Sequence, residues 1–475
     1  MTVVHYNAED ATRIATTEPG TGSRFAQALM TLFRSFSMKD KELRATLTEA
    51  QALLSGDRDA LARVAARILK PLRNNFVERP WGGTRIREFK RLAPLPDQRA
   101  ATGMGLGEAF EIAAYDQDPE ARQYPSRLRF EDGSEVSLAR LLGHCAVEVL
   151  GSEFAERFGP CMPLLPKTLN IKELLSVQGH PEGHTEVYII IEAEPGATIR
   201  LGFREAMDPD LFKKELIEGR RQQATVLSLL GEAQDPGELQ AVVAPWLARR
   251  EVGVEEIASF IRGADPHRDE ILRLLAALKS LYWRVLDSMN AIPVSAGQVI
   301  YNANPARIVA ATGRSPSAEV HALGNPEGKE ILALEIRRPG PTFRAWDNVR
   351  FPIREVDVST AIDALNLSGT KADDYLVVPT PLAGRPGVLC SVDSASFRIE
   401  HLRPKPSSPV DIPAEPPHCL HAIHGRARFL TTAGLPIGDL DRGESAVVPI
   451  GVGAYRVECA TAETEVIKVS LPVLA

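Results

Sequence analysis

Leu174-Leu175-Ser176-Val177-Gln178-Gly179-His180-Pro181-Glu182-Gly183-His184-Thr185-Glu186-Val187 holds the densest chemistry in the chain. Gln178 and His180 stand two apart, so on an extended strand both side chains leave the same face. After a short polar turn, Glu186 opens the run Val187-Tyr188-Ile189-Ile190-Ile191, whose length and unbroken apolar character predict a buried strand. A hairpin over the turn returns the Glu186 carboxylate toward Gln178 and His180. An imidazole, a carboxylate and an amide oxygen meeting at one point are three ligands of a divalent-metal site. Imidazole suits zinc and other first-row ions, and the oxygen ligands leave room for Mn or Mg. A Gln-x-His pair on a strand also reads as a solvated polar face, and spacing alone leaves the fourth ligand to be found.

Around this segment, from about Asn74 to Phe203, short β-rich runs alternate with Gly, Pro and Asp, the texture of a sandwich or barrel. The first seventy residues read as helices. Phe25, Leu29, Leu32, Phe33 and Phe36 recur at helical spacing, as do Leu61, Val64, Ala65, Ile68 and Leu69 after Ser55-Gly56-Asp57. An amphipathic helix also suits a membrane surface or a partner, but the commoner use of such a face is packing on its own domain. Helical texture returns from Asp208 to Asn290. There Asp265-Pro266 predicts a helix opening ahead of the stripe Ile271, Leu274, Leu275, Leu278, Leu281, Tyr282, Val285 and Leu286. After Ile292 the β pattern runs to the end, and Pro404 to Pro417 reads as an extended linker before a last β domain. The expected organisation is therefore an N-terminal helical extension (1–72), the first part of a β core (73–205), an inserted helical domain (206–290), the second part of the core (291–400) and a C-terminal β domain (401–475).

The chain has 475 residues, 44% hydrophobic and 25% charged, enough for two or three buried cores. Its 55 Lys+Arg against 62 Asp+Glu give a net charge of -7 with no long basic run, which argues against nucleic acid as a partner. Cys145, Cys161, Cys390, Cys419 and Cys459 are scattered and odd in number, the usage of a reducing compartment, and Cys161 reads as a packed thiol. The opening Met1-Thr2-Val3-Val4-His5-Tyr6 lacks the features of a leader. No stretch approaches the ~20 apolar residues of a membrane span. A cytoplasmic protein without a membrane partner is the expectation.

The run from Pro166 to Pro181, followed by His184-Thr185-Glu186, resembles the signature of type I mannose-6-phosphate isomerases, usually Leu-Ser-[Val/Ile]-Gln-x-His-Pro and then Lys-x-Glu. Further landmarks fall in that family's order: Arg79-Pro80-Trp81-Gly82-Gly83, Gly107-Glu108-Ala109-Phe110-Glu111-Ile112, Glu194-Pro195-Gly196-Ala197, His321-Ala322-Leu323-Gly324, and Leu334-Glu335-Ile336 through Thr342-Phe343-Arg344. The resemblance covers about Val77 to Ala475. It implies a mainly β cupin architecture, jelly-roll domains with an inserted helical lobe, and a metal held inside one barrel. It also implies one zinc ion per chain on Gln178, His180, Glu186 and His321. The activity implied is interconversion of mannose 6-phosphate and fructose 6-phosphate through a cis-enediol, whose negative oxygens a cation stabilises. Trp81, Lys167, Lys172 and Ser176 then belong to the pocket for the sugar phosphate. Arg344 lies near the reacting carbons, Glu335 handles a proton or orients Arg344, and His184 stands available as acid or base. The identity of the base stays open, and a monomer or weak homo-oligomer is expected.

Three features depart from that family. Its lysine two residues before the Glu ligand is His184 here. Its aspartate four residues before the arginine is Gly340, in a segment one residue shorter. Finally, Ala306 to Val320 intervenes between the strand ending near Asn304-Pro305 and His321. A non-catalytic or regulatory sugar-phosphate-binding cupin, or an isomerase of another phosphorylated sugar, is the alternative. An Fe(II) oxygenase fits less well, because Gln178 stands as a further ligand and oxygen activation needs a redox metal with open positions. His418, His421 and His424, spaced by three, send their side chains to alternating faces of a strand and do not read as a second metal site. His144 and His267 read as helix or turn residues without a catalytic role.

Overall fold

A computed structural model describes residues 47–93, 105–181, 183–261, 267–303 and 319–472. The expected helix through Phe25 and Phe36, the Asp265-Pro266 opening and most of the segment from Ala306 to Val320 lie outside the described residues.

Fourteen strands build the first β unit and its flank: β1 (Phe76–Arg79), β2 (Gly105–Phe110), β3 (Arg127–Arg129), β4 (Glu135–Ser137), β5 (Lys167–Ile171), β6 (Val177–Gly179), β7 (Glu186–Ala193), β8 (Thr198–Phe203), β9 (Met289–Pro293), β10 (Val299–Asn302), β11 (His321–Ala322), β12 (Ile331–Arg337), β13 (Phe343–Trp346) and β14 (Leu376–Val377). One antiparallel sheet runs β1-β2-β5-β12-β7-β10-β14 and faces a second running β13-β6-β11-β8-β9, while β3 and β4 pair apart. This is the cupin arrangement of two sheets closed around an interior. The Trp81-Gly82-Gly83 segment fits against β2 only because glycines meet there. A Cβ on Gly82 would lie 2.3 Å from the carbonyl oxygen of Gly105, and one on Gly107 would lie 2.6 Å from the Arg79 side chain.

Alternation along β7 and β12 decides what faces where. Tyr188, Ile190, Ile331 and Ala333 turn inward with Leu169, Ile171, Ile199 and Leu201 to fill one end of the barrel. Val187, Ile189, Ile191, Leu332, Leu334 and Ile336 turn outward into another core, shared with Ile399, Cys419, Ile467 and Val469 of the C-terminal unit. The unbroken apolar run of β7 thus reflects a strand buried on both faces.

Between β8 and β9 the chain leaves as helices Pro209–Leu230, Pro236–Ala248 and Arg268–Ser288. The first two open on Asp-Pro pairs. The Asp208 and Asp235 carboxylates accept the orphan N–H groups of their first turns. The stripe from Ile271 to Leu286 is buried against Phe212, Leu216 and Val226. No helix among the described residues is long and apolar enough to cross a membrane.

The C-terminal unit is a second barrel, and it begins before position 401. Strands Val388–Asp393 and Arg398–Leu402 join Glu465–Ser470, His418–His424 and Ser445–Val448 in a six-stranded sheet, opposite a four-stranded one. Pro404 to Pro417 is no free linker either. Within it, Val410–Ile412 pairs with Tyr455–Cys459 at the edge of the four-stranded sheet, where prolines are tolerated on either side.

Candidate metal centre

Register brings the signature residues to one end of the first barrel. In the five-stranded sheet, Gln178 on β6 lies opposite His321 on β11 and opposite Arg344 on β13. In the seven-stranded sheet, Glu186 at the start of β7 lies between Asn302 on β10 and Arg337 on β12, and Glu335 lies between Tyr188 and Lys167. Opposite residues on paired strands share a face, so these side chains enter the same interior. The expected hairpin does not form. β6 and β7 belong to facing sheets, the polar turn crosses from one to the other, and the ligands converge across the barrel rather than along one face. Although most of the segment before it is undescribed, His321 is delivered by β11, which pairs with both β6 and β8.

His180, Glu186 and His321 are buried, and their ligand atoms lie within 4.8 Å of one another. The Nδ1 of His180 is 3.0 Å from the carbonyl oxygen of Pro341, and that of His321 is 2.9 Å from the carbonyl oxygen of Glu319. A carbonyl only accepts, so both Nδ1 atoms carry the proton, leaving each Nε2 with a lone pair turned inward. The Nε2 of His180 is 2.8 Å from Glu186 Oε1, yet it has no hydrogen-bond partner, because with the proton on Nδ1 two acceptors face each other. His321 Nε2 is 3.5 Å from Glu186 Oε2, which also accepts from the Tyr188 hydroxyl and from Asn302 Nδ2 at 3.4 Å. Burial works to raise the Glu186 carboxyl, but His180 and His321 outweigh it and hold it well below the ordinary range. Gln178 completes the group. Its amide nitrogen is 3.1 Å from His321 Nε2, and its oxygen accepts from Ser176 Oγ at 2.7 Å. A half-turn of the amide exchanges its two ends, and the Ser176 hydroxyl accepts as readily as it donates. Two inward lone pairs, a carboxylate and an amide oxygen around an orphaned buried nitrogen form a donor set that fits a divalent ion.

Gln178, His180 and Glu186 of this cluster, with His321 set behind them, line a cavity of about 340 Å³ that also carries five Lys or Arg side chains and, counting Glu186, five Asp or Glu side chains. Most of these cations are paired. Arg79 lies 3.1 Å from Glu108, Lys167 2.8 Å from Glu120, Arg337 3.2 Å from Glu120, and Arg354 3.6 Å from Asp347. Arg344 makes no ion pair among the described residues, and its buried Nε has no hydrogen-bond partner. Burial first, and then Arg354, lowers its pKa, so it faces the cavity as a cation awaiting an anion. Glu335 is the opposite case: burial first, then the Glu186 charge, raises its carboxyl to about 8 despite Lys167 and Arg337.

The structure brings Trp81, Lys167, Ser176, Gln178, His180, Glu186, Glu335 and Arg344 to this cavity. Lys172 it places elsewhere, in a separate cavity of about 300 Å³ bordered by Glu173, Gln240, Tyr282 and Arg350. His184 does not line the site either. Its ring lies against Gly340, where a Cβ would come within 2.4 Å of it, and burial lowers its pKa. The two departures at 184 and 340 are therefore neighbours in space. The sequence assigned no role to Glu120, Arg337, Asp347 or Arg354, nor to Arg79 and Glu108 although both stand in landmark runs. Of these, Arg337 was within reach, since Glu335-x-Arg337 places two charges on one face of an apolar strand. Glu120 comes from a short helix, and nothing in its local pattern marks it.

No protein-family model matches this chain, and no curated protein sequence matches it. Solved structures do. Mannose 6-phosphate isomerase from Bacillus subtilis is similar at 18% identity and a TM-score of 0.54, covering 86% of this chain and 100% of its own. A mutant phosphomannose isomerase from Salmonella typhimurium is similar at 16% identity and a TM-score of 0.54, with the same coverage. At such identities the shared property is architecture: this chain has the cupin fold of the phosphomannose isomerases.

Proposed function

We propose that this protein is a metal-dependent aldose–ketose isomerase of a phosphorylated sugar, with mannose 6-phosphate and fructose 6-phosphate as the pair and zinc as the ion. The observation that carries this reading is the buried His180, Glu186 and His321 set, aimed at a common point in the wall of a charged cavity that holds an unpaired guanidinium. The solved structures most like it that are described above are named for that activity.

A divalent ion such as zinc supplies positive charge beside the reacting oxygens without a redox change. The protein's own residues do the rest. Arg344 offers its guanidinium to the anionic substrate and stays protonated throughout. Isomerisation moves a proton between C1 and C2, and Glu335 is a buried carboxyl that lines the same cavity as His180, Glu186 and Arg344. We assign to its carboxylate the removal of the proton from C2 of the aldose and its return at C1. Lys167, held at Glu120, adds a fixed positive charge beside that carboxylate.

The test is a coupled assay with mannose 6-phosphate before chelation, after it and after zinc is restored, with bound metal quantified in each sample. Turnover that disappears with the metal and returns with it is expected, and His180→Ala should lose both while remaining folded. Full turnover by metal-free protein would refute the reading. The position of His184 outside the cavity favours one other reading, a sugar-phosphate-binding protein without turnover. Stoichiometric metal and calorimetric binding with no product would establish that instead.

A further inference from the structure

Two side chains of the cavity, neither given a role by the sequence, form one ion-pair system. Glu120 enters from the helix Pro119–Gln123. Asp118 caps this helix with one carboxylate oxygen and accepts from Gly340 N at 3.0 Å with the other, which ties the helix to the loop preceding Arg344. Glu120 Oε2 lies 2.8 Å from Lys167 Nζ and 3.2 Å from Arg337 Nη2. Arg337 is 3% exposed; its Nε lies 3.4 Å from Glu335 Oε1, and its Nη1 donates to the carbonyl oxygen of Gly340 at 3.1 Å. Two cations thus converge on a single carboxylate oxygen, and each also reaches a second acid. Lys167 approaches Glu108 at 3.8 Å, and Arg337 approaches Glu335. Without Glu120 these cations would repel each other in a low-dielectric wall and draw apart. Attraction first to Lys167 and then to Arg337 holds the Glu120 carboxyl down to about 2, so the clamp stays ionised at every working pH.

Building on the isomerase reading, we propose that Glu120 and Arg337 act as positioning residues of the reaction. In this assignment Arg337 joins Lys167 as a second fixed cation beside Glu335, while Glu120 locks both in place. Charge that develops on the substrate oxygens then meets preorganised cations. A guanidinium serves because it keeps its charge and holds two acids at once through a rigid fork.

The test compares wild type with E120Q, R337M, the double variant and the conservative R337K, all metal-loaded, recording metal content, Tm, kcat and KM with mannose 6-phosphate. E120Q is isosteric at a partly exposed carboxylate, so it folds even if R337M does not. Expected are a loss in kcat of about tenfold for E120Q and about a hundredfold for R337M, of the order seen when one preorganised donor is removed. KM should move by less than about threefold, R337K should recover part of the loss, and metal content should hold. The double variant should be no slower than R337M, because residues acting as one unit are not additive. Retention of kcat within twofold by E120Q, a double variant slowed by the product of the single effects, or losses that track metal or folding would overturn the assignment while leaving the isomerase reading intact. A wild type without turnover would overturn both.

Discussion

Gly340 and His184 lend themselves to a decisive experiment, because the contact between them is steric and its magnitude follows from the geometry. A Cβ at 340 would sit 2.4 Å from Cε1 and Nδ1 of the imidazole, closer than real side chains approach. The loop has little room to retreat, since Gly340 N donates to Asp118 and its carbonyl accepts from Arg337. The half-buried ring must therefore swing away, an overpacking cost of about 1–2 kcal/mol, at the low end because a side chain moves rather than backbone. Gly340 has no positive φ, so alanine is unstrained there and gains about 0.4–1 kcal/mol by restricting the unfolded chain. Gly340→Ala should thus destabilise wild type by about 0.5–1.5 kcal/mol. In a His184→Ala background the obstruction is gone, and the same change should be neutral or stabilising by about 0.4–1 kcal/mol. Urea unfolding of the four proteins closes the double-mutant cycle, with an expected coupling of about 1–2 kcal/mol. Equal costs in both backgrounds would show that the ring does not occupy the space the glycine leaves.

Other outcomes follow from the same contacts. Lys90 and Glu111 form a buried ion pair, with Glu111 also accepting from Ser445 at 2.7 Å and Lys90 donating to Gly443 O at 2.7 Å. Glu111→Gln should cost about 3–5 kcal/mol in urea unfolding, since it strands a buried ammonium, whereas a Lys90→Met, Glu111→Leu double variant should recover most of it. A single-variant cost under about 1 kcal/mol would refute this. Burial lowers His418 to about 3, with help from Lys468, and lowers His421 to about 4 against the pull of Glu111. In the unfolded chain both titrate near ~6.5, so their stabilisation is complete above that pH and drains away as pH falls toward 4. Each proton taken up on unfolding adds about 1.4 kcal/mol per pH unit, so His418→Gln should lower the slope of chelated protein by up to that amount. An unchanged slope would disprove the assignment. Finally, Arg344→Ala should cut kcat/KM by at least about a hundredfold, the scale of a lost charge-stabilising group, while Lys172→Ala, in its own cavity, should leave it within about twofold. Equal losses would return Lys172 to the substrate pocket.

The candidate ligands Gln178, His180 and Glu186 were legible because period and residue type both act locally: Gln178 and His180 share a strand face, and Glu186 opens the one run that must be a buried strand. Their route to one another was not. A hairpin and a crossing between facing sheets give the same local pattern, and only the pairing of β6 with β11 and β13 distinguishes them. The limit of the C-terminal unit was misplaced for a similar reason. Prolines from 404 to 417 mark the absence of helix, and an edge strand meets that condition as well as a linker does. Glu120 was illegible in principle, since its importance rests on Lys167 and Arg337, which are 47 and 217 residues away.

The back-to-back packing of the two barrels has a consequence for how this chain can be divided. The strands that carry Glu186 and Glu335 have no solvent side. Their outer row of Val187, Ile189, Ile191, Leu332, Leu334 and Ile336 is buried in a core shared by the second barrel, through Ile399 and Ile467, and by helices carrying Leu61 and Leu141. Cutting the chain between the barrels would uncover six large apolar side chains, roughly 10 kcal/mol of burial, on the very strands that aim the ligands. The second barrel contributes no side chain to the lining of the cavity and yet is inseparable from it. A truncated protein would bare that row and lose the alignment of His180, Glu186 and Glu335 together, and a graft of this cluster into another scaffold must bring along a replacement for that outer shield.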